Sequence, residues 1–495
     1  MTSPIRVTHP EVVGPLPVAE TDYPFSTMRL TREPLDLSKY GYIEEEYLLS
    51  GTANVYDEID GQARIVHEPQ PYCTRVLVRR PATTSSRVAW LSILNASQGY
   101  DIEDDWRRAW DFIIGRGDTY VGVSSKPIQA SALQTFDPQR YRDLRWGGPV
   151  PAIEAAPGWN PFMTIDGCEE GLVWDVLAQT AEWLRGGHSF SAPERVFMIG
   201  QSQSAVYTNT YLTYFHELLR GRDGSRLFDG YLPGVGTVFC KALNQGSVAR
   251  SSGLSIDAPG SGGAQQAFTP LLIEPVDLDV PVITVSSEAD TRLFSGTPAS
   301  FNLGDGPMRR HWHVARGQHS DARSRVIPHD DEVRKSGRLP RVMDQAFLEG
   351  LSVLPLEPII TAAMAAALDW VDEGRPAAPS VWFETRNGHF VRDEAGNLRG
   401  GITLGMLAEP LAEFHAGSPE NAVYGSMTLL NADAALSHYP SEAAYHAACA
   451  AIDDSLEQQG YLEPCGRALL RRVQSELWHR VVDGTPAPVS TPQLP

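Results

Sequence analysis

Ester chemistry needs a serine whose hydroxyl is held exposed beside a base. A sharp turn between a strand and a helix does this when the neighbouring residues are small. The run RVFMIGQSQSAVYTNTYLTYF carries such a site: Gly200, Ser202 and Ser204 follow the spacing G-x-S-x-G, with serine in the last place. A second match to the relaxed pattern, Gly187-His188-Ser189-Phe190-Ser191, is what chance supplies in a chain with 43 glycines. Context separates the two, because the turn must leave a buried strand and open a helix. Ser202 follows Val196-Phe197-Met198-Ile199 and precedes an amphipathic run with Ala205, Leu212, Phe215 and Leu219. Ser189 follows a helix end and precedes the strand, the reverse order. Ser202 is therefore the nucleophile candidate, and without a base it is only a small residue in a tight turn.

On a parallel sheet the partners of such a serine lie on loops past late strands at the carboxyl edge, acid before histidine. The segment VPVITVSSEADTRLF places Glu288 and Asp290 just beyond a Val-Ile-Val strand. Either carboxylate can accept an imidazole Nδ1 proton. Asp290 is preferred because its offset from the strand suits the shorter side chain, and Glu288 stays as the alternative acid. Of the 13 histidines, those of RRHWHVARGQHSDAR follow in the required order. His311 and His313 alternate with Trp312 and Val314 as strand residues do, so they belong to the sheet. His319 lies past Gly317 in the next loop and is the candidate base. The oxyanion needs two N–H donors. The first is that of Gln203, and the second comes from RVAWLSILNASQGYD, where Asn95 and Ala96 remain alternatives and Asp101 is a candidate helix cap.

These side chains require a scaffold. Strand candidates are Arg75–Arg79, Val88–Leu94, Tyr120–Ser124, Val196–Ile199, Val282–Ser286 and His311–Val314, with helical stretches between them. The clearest helix is Glu169–Leu184, where Val173, Val176, Leu177, Ala181 and Leu184 recur at helical spacing. Alternation of this kind predicts an α/β fold, a doubly wound and mostly parallel sheet. The expected organisation is an N-terminal β extension over 1–75 packed on the core, a core over 76–380 with a Gly/Ser-rich insertion near 245–270, a mostly helical elaboration over 381–485, and a disordered tail over 486–495.

Composition narrows the function classes. The 495 residues are 42% apolar and 21% charged, ordinary globular values. With 61 acidic against 41 basic residues the formal charge is −20, which disfavours nucleic acid and anionic membrane as partners. Five cysteines, none in a C-x-x-C pair, argue against a disulfide framework and a zinc ribbon and point to a reducing compartment. The first thirty residues show no apolar signal region, so a cytoplasmic location is expected.

The segments GYIEEEYLLSGTANVY, SILNASQGYD, GDTYVGVSSKPI, RVFMIGQSQSA, ITVSSEAD, ARGQHSD and AALDWVDEGRPAAPS occur in an order that resembles the "alpha/beta hydrolase domain" family of bacterial and fungal esterase-like proteins. The likeness runs from residue 40 to about 430. It implies a sheet of α/β-hydrolase type, with Ser202 as nucleophile, His319 as base and a carboxylate of SSEAD as third member. In that family the GQSQS elbow is distinctive, so Ser204 matches the pattern. The sequence departs from it at Arg316, where a small residue is usual, and at Lys126, where glutamine is usual. Arg316, close to the candidate base, is expected to attract an acidic substrate group.

The expected function is that of a serine hydrolase cleaving a carboxylic ester or lactone of a small molecule through an acyl-enzyme. No metal and no cofactor are expected, since HExxH, Walker and strand-linked GxGxxG sequences are lacking. An acyltransferase with the same triad and a non-catalytic binding module of the same fold are the alternatives. Substrate identity and oligomeric state are not written in the sequence.

Overall fold

The longest pairing begins at an Asp-Gly turn. Asp60 and Gly61 have φ of 52° and 75°, the left-handed conformations that a tight two-residue hairpin needs. They join β1 (Tyr42–Ile59) to β2 (Gln62–Pro81) as an antiparallel ribbon. The computed structural model describes residues 3–487, except 84–85, 157–158, 161–162, 187–189, 237–238, 247–270, 273–275, 294–297, 299–300, 302–303, 321–325, 342–344 and 418–422. The Gly/Ser-rich insertion thus lies almost wholly outside the described residues, as does Ser189.

By contacts the chain falls into two compact units. One comprises Met1–Tyr231, Phe239–Val276 and Val326–Arg341, the other Leu232–Val238, Asp277–Arg325 and Val342–Pro495. These limits differ from the expected boundaries at 75/76 and 380/381. The physical reason at the first is that β2 runs straight through residue 75, so the N-terminal ribbon and the core share a strand.

In the first unit β2 pairs antiparallel with β4 (Thr119–Val123), after β3 (Val88–Ile93) and α1 (Asp104–Arg116). Strand β3 lies between β4 and β5 (Arg195–Gln201), parallel to both. Every residue of β3 and β4 is buried, and all but the first of β5. That is why they read as apolar runs without alternation. Helix α2 (Pro127–Phe136) follows β4, α3 (Val173–Gly186) precedes β5, and α4 (Gln203–Tyr214) leaves it. The helix expected from Glu169 begins with a 3-10 turn at Glu170–Leu172.

The charges of β1 and β2 conceal how deeply that ribbon is buried. Arg75 donates to Glu46 at 2.6 Å and to Asp101 at 3.0 Å, and Arg79 to Glu44 at 2.8 Å and to Glu103. All four carboxylates are inside hydrogen-bond reach of a guanidinium, which makes burial of these side chains tolerable. Asp101, a candidate cap in the sequence, is instead the anchor of this network.

In the second unit β6 (Val282–Ser287) and β7 (Arg309–Val314) run parallel, in register from Val282↔Arg309 to Ser287↔Val314. A short helix, α5 (Glu288–Leu293), starts directly at the end of β6. Three long helices follow: α6 (Glu357–Glu373), α7 (Glu442–Gln459) and α8 (Pro464–Val482). Ser441 caps α7 through Ala444 N at 3.2 Å, and Gly460 ends it at φ 85°. Short strand pairs, such as Ala412–His415 with Ser426–Leu429, fill the segment before α7. Of the expected disordered tail, Pro486 is exposed, Ala487 is buried and donates its N–H to Glu349, and 488–495 lie outside the described residues. Among the described residues no helix is long and apolar enough to cross a membrane.

Candidate active site

Ser202 stands between the last residue of β5 and the first of α4, at φ 57° and ψ −121°. A non-glycine residue at positive φ costs about 1–3 kcal/mol and persists where surrounding structure enforces it. Gly200 shows what the enforcement involves. A Cβ there would lie 2.7 Å from the Ser204 carbonyl oxygen and 2.7 Å from Thr208 Oγ1. Ser204 is fully buried, and its Oγ has no hydrogen-bond partner among the described residues. Position 204 therefore needs a small side chain, and the hydroxyl itself adds nothing visible.

The loop after β3 approaches the start of α4. Ala96 N–H donates to the Gln203 side-chain oxygen at 2.9 Å, and Asn95 Nδ2 donates to Gln201 O at 3.2 Å. This geometry separates the two alternatives for the second oxyanion donor. Asn95 N–H is committed to Ile102 O at 3.0 Å within a two-residue antiparallel bridge. Its side chain holds Ser97 N–H at 2.7 Å. The Asn95 N–H is thus tied into the backbone of its own loop, whereas that of Ala96 faces a side chain at the start of α4.

In the second unit the structure brings Asp290 and His319 together. Asp290 Oδ1 lies 2.6 Å from His319 Nδ1, with Asp290 fully buried and His319 7% exposed. Asp290 Oδ2 accepts Ser287 N–H at 2.7 Å, which fixes the carboxylate against the end of β6. The backbone N–H of His319 donates to Val423 O at 3.1 Å. Glu288 has a different task. Its oxygens accept Leu398 N–H at 2.7 Å and Arg316 N–H at 3.0 Å, tying the loop after β7 to the 393–398 segment. Burial pushes its carboxyl above the usual range.

Arg316 itself is held at φ 57° and is paired with Asp393 at 2.6 Å. Its charge is answered within the chain, so the expected pull on an acidic substrate group loses its basis. His311 and His313 sit inside β7, and burial lowers both to about 3. They are neutral core residues, as their alternation with Trp312 and Val314 implied.

A sequence profile described as "Alpha/beta hydrolase domain" matches residues 12–472. The chain belongs to this family. Among curated proteins nothing matches it. Three solved structures of esterases are similar at low identity. One is a cold-adapted esterase from an Arctic intertidal metagenomic library (11% identity, 60% of this chain and 95% of that one, TM-score 0.25). A second is the esterase Est22 (14%, 55% and 72%, TM-score 0.27). The third is the esterase Pf2001 of Pyrococcus furiosus (10%, 56% and 85%, TM-score 0.27). The chain is thus a member of a hydrolase family, and the reading of its site rests on its own geometry.

Several residues of this α/β hydrolase that support the elbow escaped the sequence reading. Asp105, in the first turn of α1, accepts Ser92 Oγ–H at 2.6 Å and Gln201 Nε2–H at 2.9 Å, so it joins β3 to the residue before Ser202. Burial raises it to about 7. The available signal was its place on the i, i+4, i+7 stripe with Ala109 and Phe112. Gln129 donates to Leu94 O at 2.9 Å and to Asn95 O at 3.3 Å, steadying the loop from α2. Arg338 donates to Gly99 O at 2.8 Å and to Ile128 O at 3.1 Å, a clamp with no local sequence signature.

Proposed function

We propose that this hydrolase cleaves carboxylic esters or lactones of small molecules, with Ser202 as nucleophile, His319 as base and Asp290 as the acid that orients it. The observation that carries the reading is the 2.6 Å pair of His319 Nδ1 and Asp290 Oδ1. Such a pair fixes the tautomer in which Nε2 carries no proton and can accept one, and it stabilises the imidazolium that forms. The strained elbow at Ser202 supports the same reading from the other unit.

In the proposed reaction the Ser202 oxygen bonds to the acyl carbon while its proton passes to His319 Nε2. The carbonyl π electrons move to oxygen, which is received by the N–H groups of Gln203 and Ala96. Collapse of the tetrahedral intermediate breaks the acyl carbon–alkoxy oxygen bond, and the alcohol leaves with the proton from His319. Water, deprotonated by His319, then attacks the acyl-serine and releases the acid with Ser202 restored. No step calls for a metal or a cofactor.

Incubation with a fluorophosphonate tests this. Wild type should gain the mass of one phosphonyl group on Ser202, and Ser202→Ala none. An unlabelled wild type that hydrolyses no p-nitrophenyl ester would remove the proposal.

A further inference from the structure

The proposed oxyanion hole has its second donor already occupied. Ala96 N–H points at Gln203 Oε1, 2.9 Å away. An N–H can only donate, so the carboxamide oxygen and not its NH2 must face Ala96. Donors to a developing oxyanion are placed about 2.7–3.1 Å from it, and the Gln203 oxygen stands at that distance from Ala96 N.

We propose that the Gln203 carboxamide is a displaceable cap on the oxyanion hole: its Oε1 occupies the acyl-oxygen position on Ala96 N–H at rest, and the substrate carbonyl must turn it out. The proposal rests on Ser202 being the nucleophile.

Three observations point the same way. First, the neighbouring amides offer no substitute donor. Asn95 N–H goes to Ile102 O, Ser97 N–H to Asn95 Oδ1, and Gly99 N–H to Ala96 O. Second, the cap is attached at one end only. Among the described residues none accepts from Gln203 Nε2, and the side chain is part-exposed, so rotation about its own bonds breaks one hydrogen bond. Third, the donor is stronger than a resting cap needs. Asn95 O receives both Ile102 N–H at 2.9 Å and Gln129 Nε2–H at 3.3 Å. Hydrogen bonds to that carbonyl polarise the Asn95–Ala96 peptide and sharpen the Ala96 N–H.

The cost of displacement falls where the carbonyl enters, before the chemical step. It therefore weakens ground state and transition state equally and shows in KM rather than in kcat. Exchanging one neutral hydrogen bond corresponds to roughly two- to ten-fold in affinity.

The test uses the full chain with Gln203→Met, which keeps the length but offers only a weak acceptor, and with Gln203→Ala. Active sites are counted by fluorophosphonate titration, so that kcat refers to competent molecules. KM and kcat are measured on p-nitrophenyl acetate and butyrate. Ki is measured for an alkyl trifluoromethyl ketone, whose hemiketal with Ser202 places an oxyanion in the hole. Both variants should lower KM and Ki by roughly two- to ten-fold, with kcat within about two-fold of wild type. A fall in kcat of about ten-fold or more at constant KM, as expected if the side chain itself donates or props the loop, overturns the proposal. Unchanged KM and Ki in both variants overturn it as well. Failure of wild type to be labelled strikes the Ser202 reading instead, so the two failures are distinct.

Discussion

Asp290 and Glu288 lie two residues apart in the same helical turn, yet only Asp290 reaches an imidazole: its Oδ1 is 2.6 Å from His319 Nδ1, while Glu288 is spent on the N–H groups of Leu398 and Arg316. One residue orients a ring and the other pins two loops. The side-chain lengths and the start of α5 at the strand end decide which does which.

The two carboxylates should therefore fail differently. Asp290→Asn is expected to cut kcat on p-nitrophenyl esters by about 10⁴-fold, because an amide nitrogen facing Nδ1 selects the wrong tautomer. Glu288→Gln should leave kcat within a few-fold. Its NH2 cannot accept, so one buried amide loses its partner and stability falls by about 1–3 kcal/mol. Steady-state kinetics and urea unfolding on both variants check this. The opposite pattern would transfer the orienting role to Glu288.

A second expectation concerns the elbow. Ser202→Gly removes both the proposed nucleophile and the penalty of a side chain at φ 57°. The variant should be inactive and more stable than wild type by about 1 kcal/mol in urea. Gly200→Ala should be the reverse, with a methyl group driven to 2.7 Å from the Ser204 carbonyl. That contact is with backbone, so it cannot be relieved by a side-chain rotation, and a loss above about 2 kcal/mol is expected. A neutral Gly200→Ala would mean that the turn relaxes more easily than the geometry implies.

The elbow was legible because a buried strand before Ser202 and a helix after it leave a signature in ordinary hydropathy. Asp290 and His319 were legible through chain order, each following a strand of a parallel sheet. The long ribbon was not, since Glu44, Glu46, Arg75 and Arg79 look like solvent-facing residues until their pairing is seen. Pairing between residues some thirty positions apart has no local pattern. The strand Gly230–Gly234 was missed for another reason: its sequence GYLPG carries glycine and proline, which usually argue against a strand. Gln203 and Asn95 show a third limit. A motif fixes where a backbone N–H belongs, whereas its present partner depends on a neighbouring loop.

Lys126 yields a third prediction. Its ammonium is buried, donates to Leu94 O at 3.1 Å and Ser125 Oγ at 2.8 Å, and lies 4.1 Å from the Tyr207 ring centre. Burial lowers it to about 7, against the opposing pull of Glu170. Between about 7 and 10.5 the unfolded chain binds this proton and the folded chain does not, so the contribution to stability rises with pH across that window. Lys126→Met removes it while Gln129 and Ser125 still serve Leu94 O. Relative to wild type, the variant should gain more at pH 6 than at pH 10, by up to about 4 kcal/mol. Urea unfolding of both proteins at the two pH values measures the difference. A pH-independent gap would mean that Lys126 keeps its proton at ordinary pH.

Asp105 carries the opposite sign, and it holds Gln201, the residue before the proposed nucleophile. Its carboxyl is raised from 3.8 to about 7, with burial the largest cause and the Ser92 and Gln201 hydrogen bonds opposing. Between these values the folded chain holds a proton that the unfolded chain has lost. The stability this confers is complete below about pH 4 and disappears as pH rises through 7. Asp105→Asn keeps the shape without an ionisable group: Oδ1 can accept Gln201 Nε2–H, and the new NH2 can donate to Ser92 Oγ, whose hydroxyl rotates freely. The variant should therefore match wild type near pH 4 and exceed it at pH 8 by about 4 kcal/mol, with the gap opening between pH 4 and 7. Because both hydrogen bonds behind Gln201 survive, kcat on p-nitrophenyl esters should change by less than about three-fold. Urea unfolding across pH 4–8 decides the first point and steady-state kinetics the second. A flat stability difference would show that Asp105 is ionised throughout, and a large loss of kcat would show that its negative charge acts on the elbow.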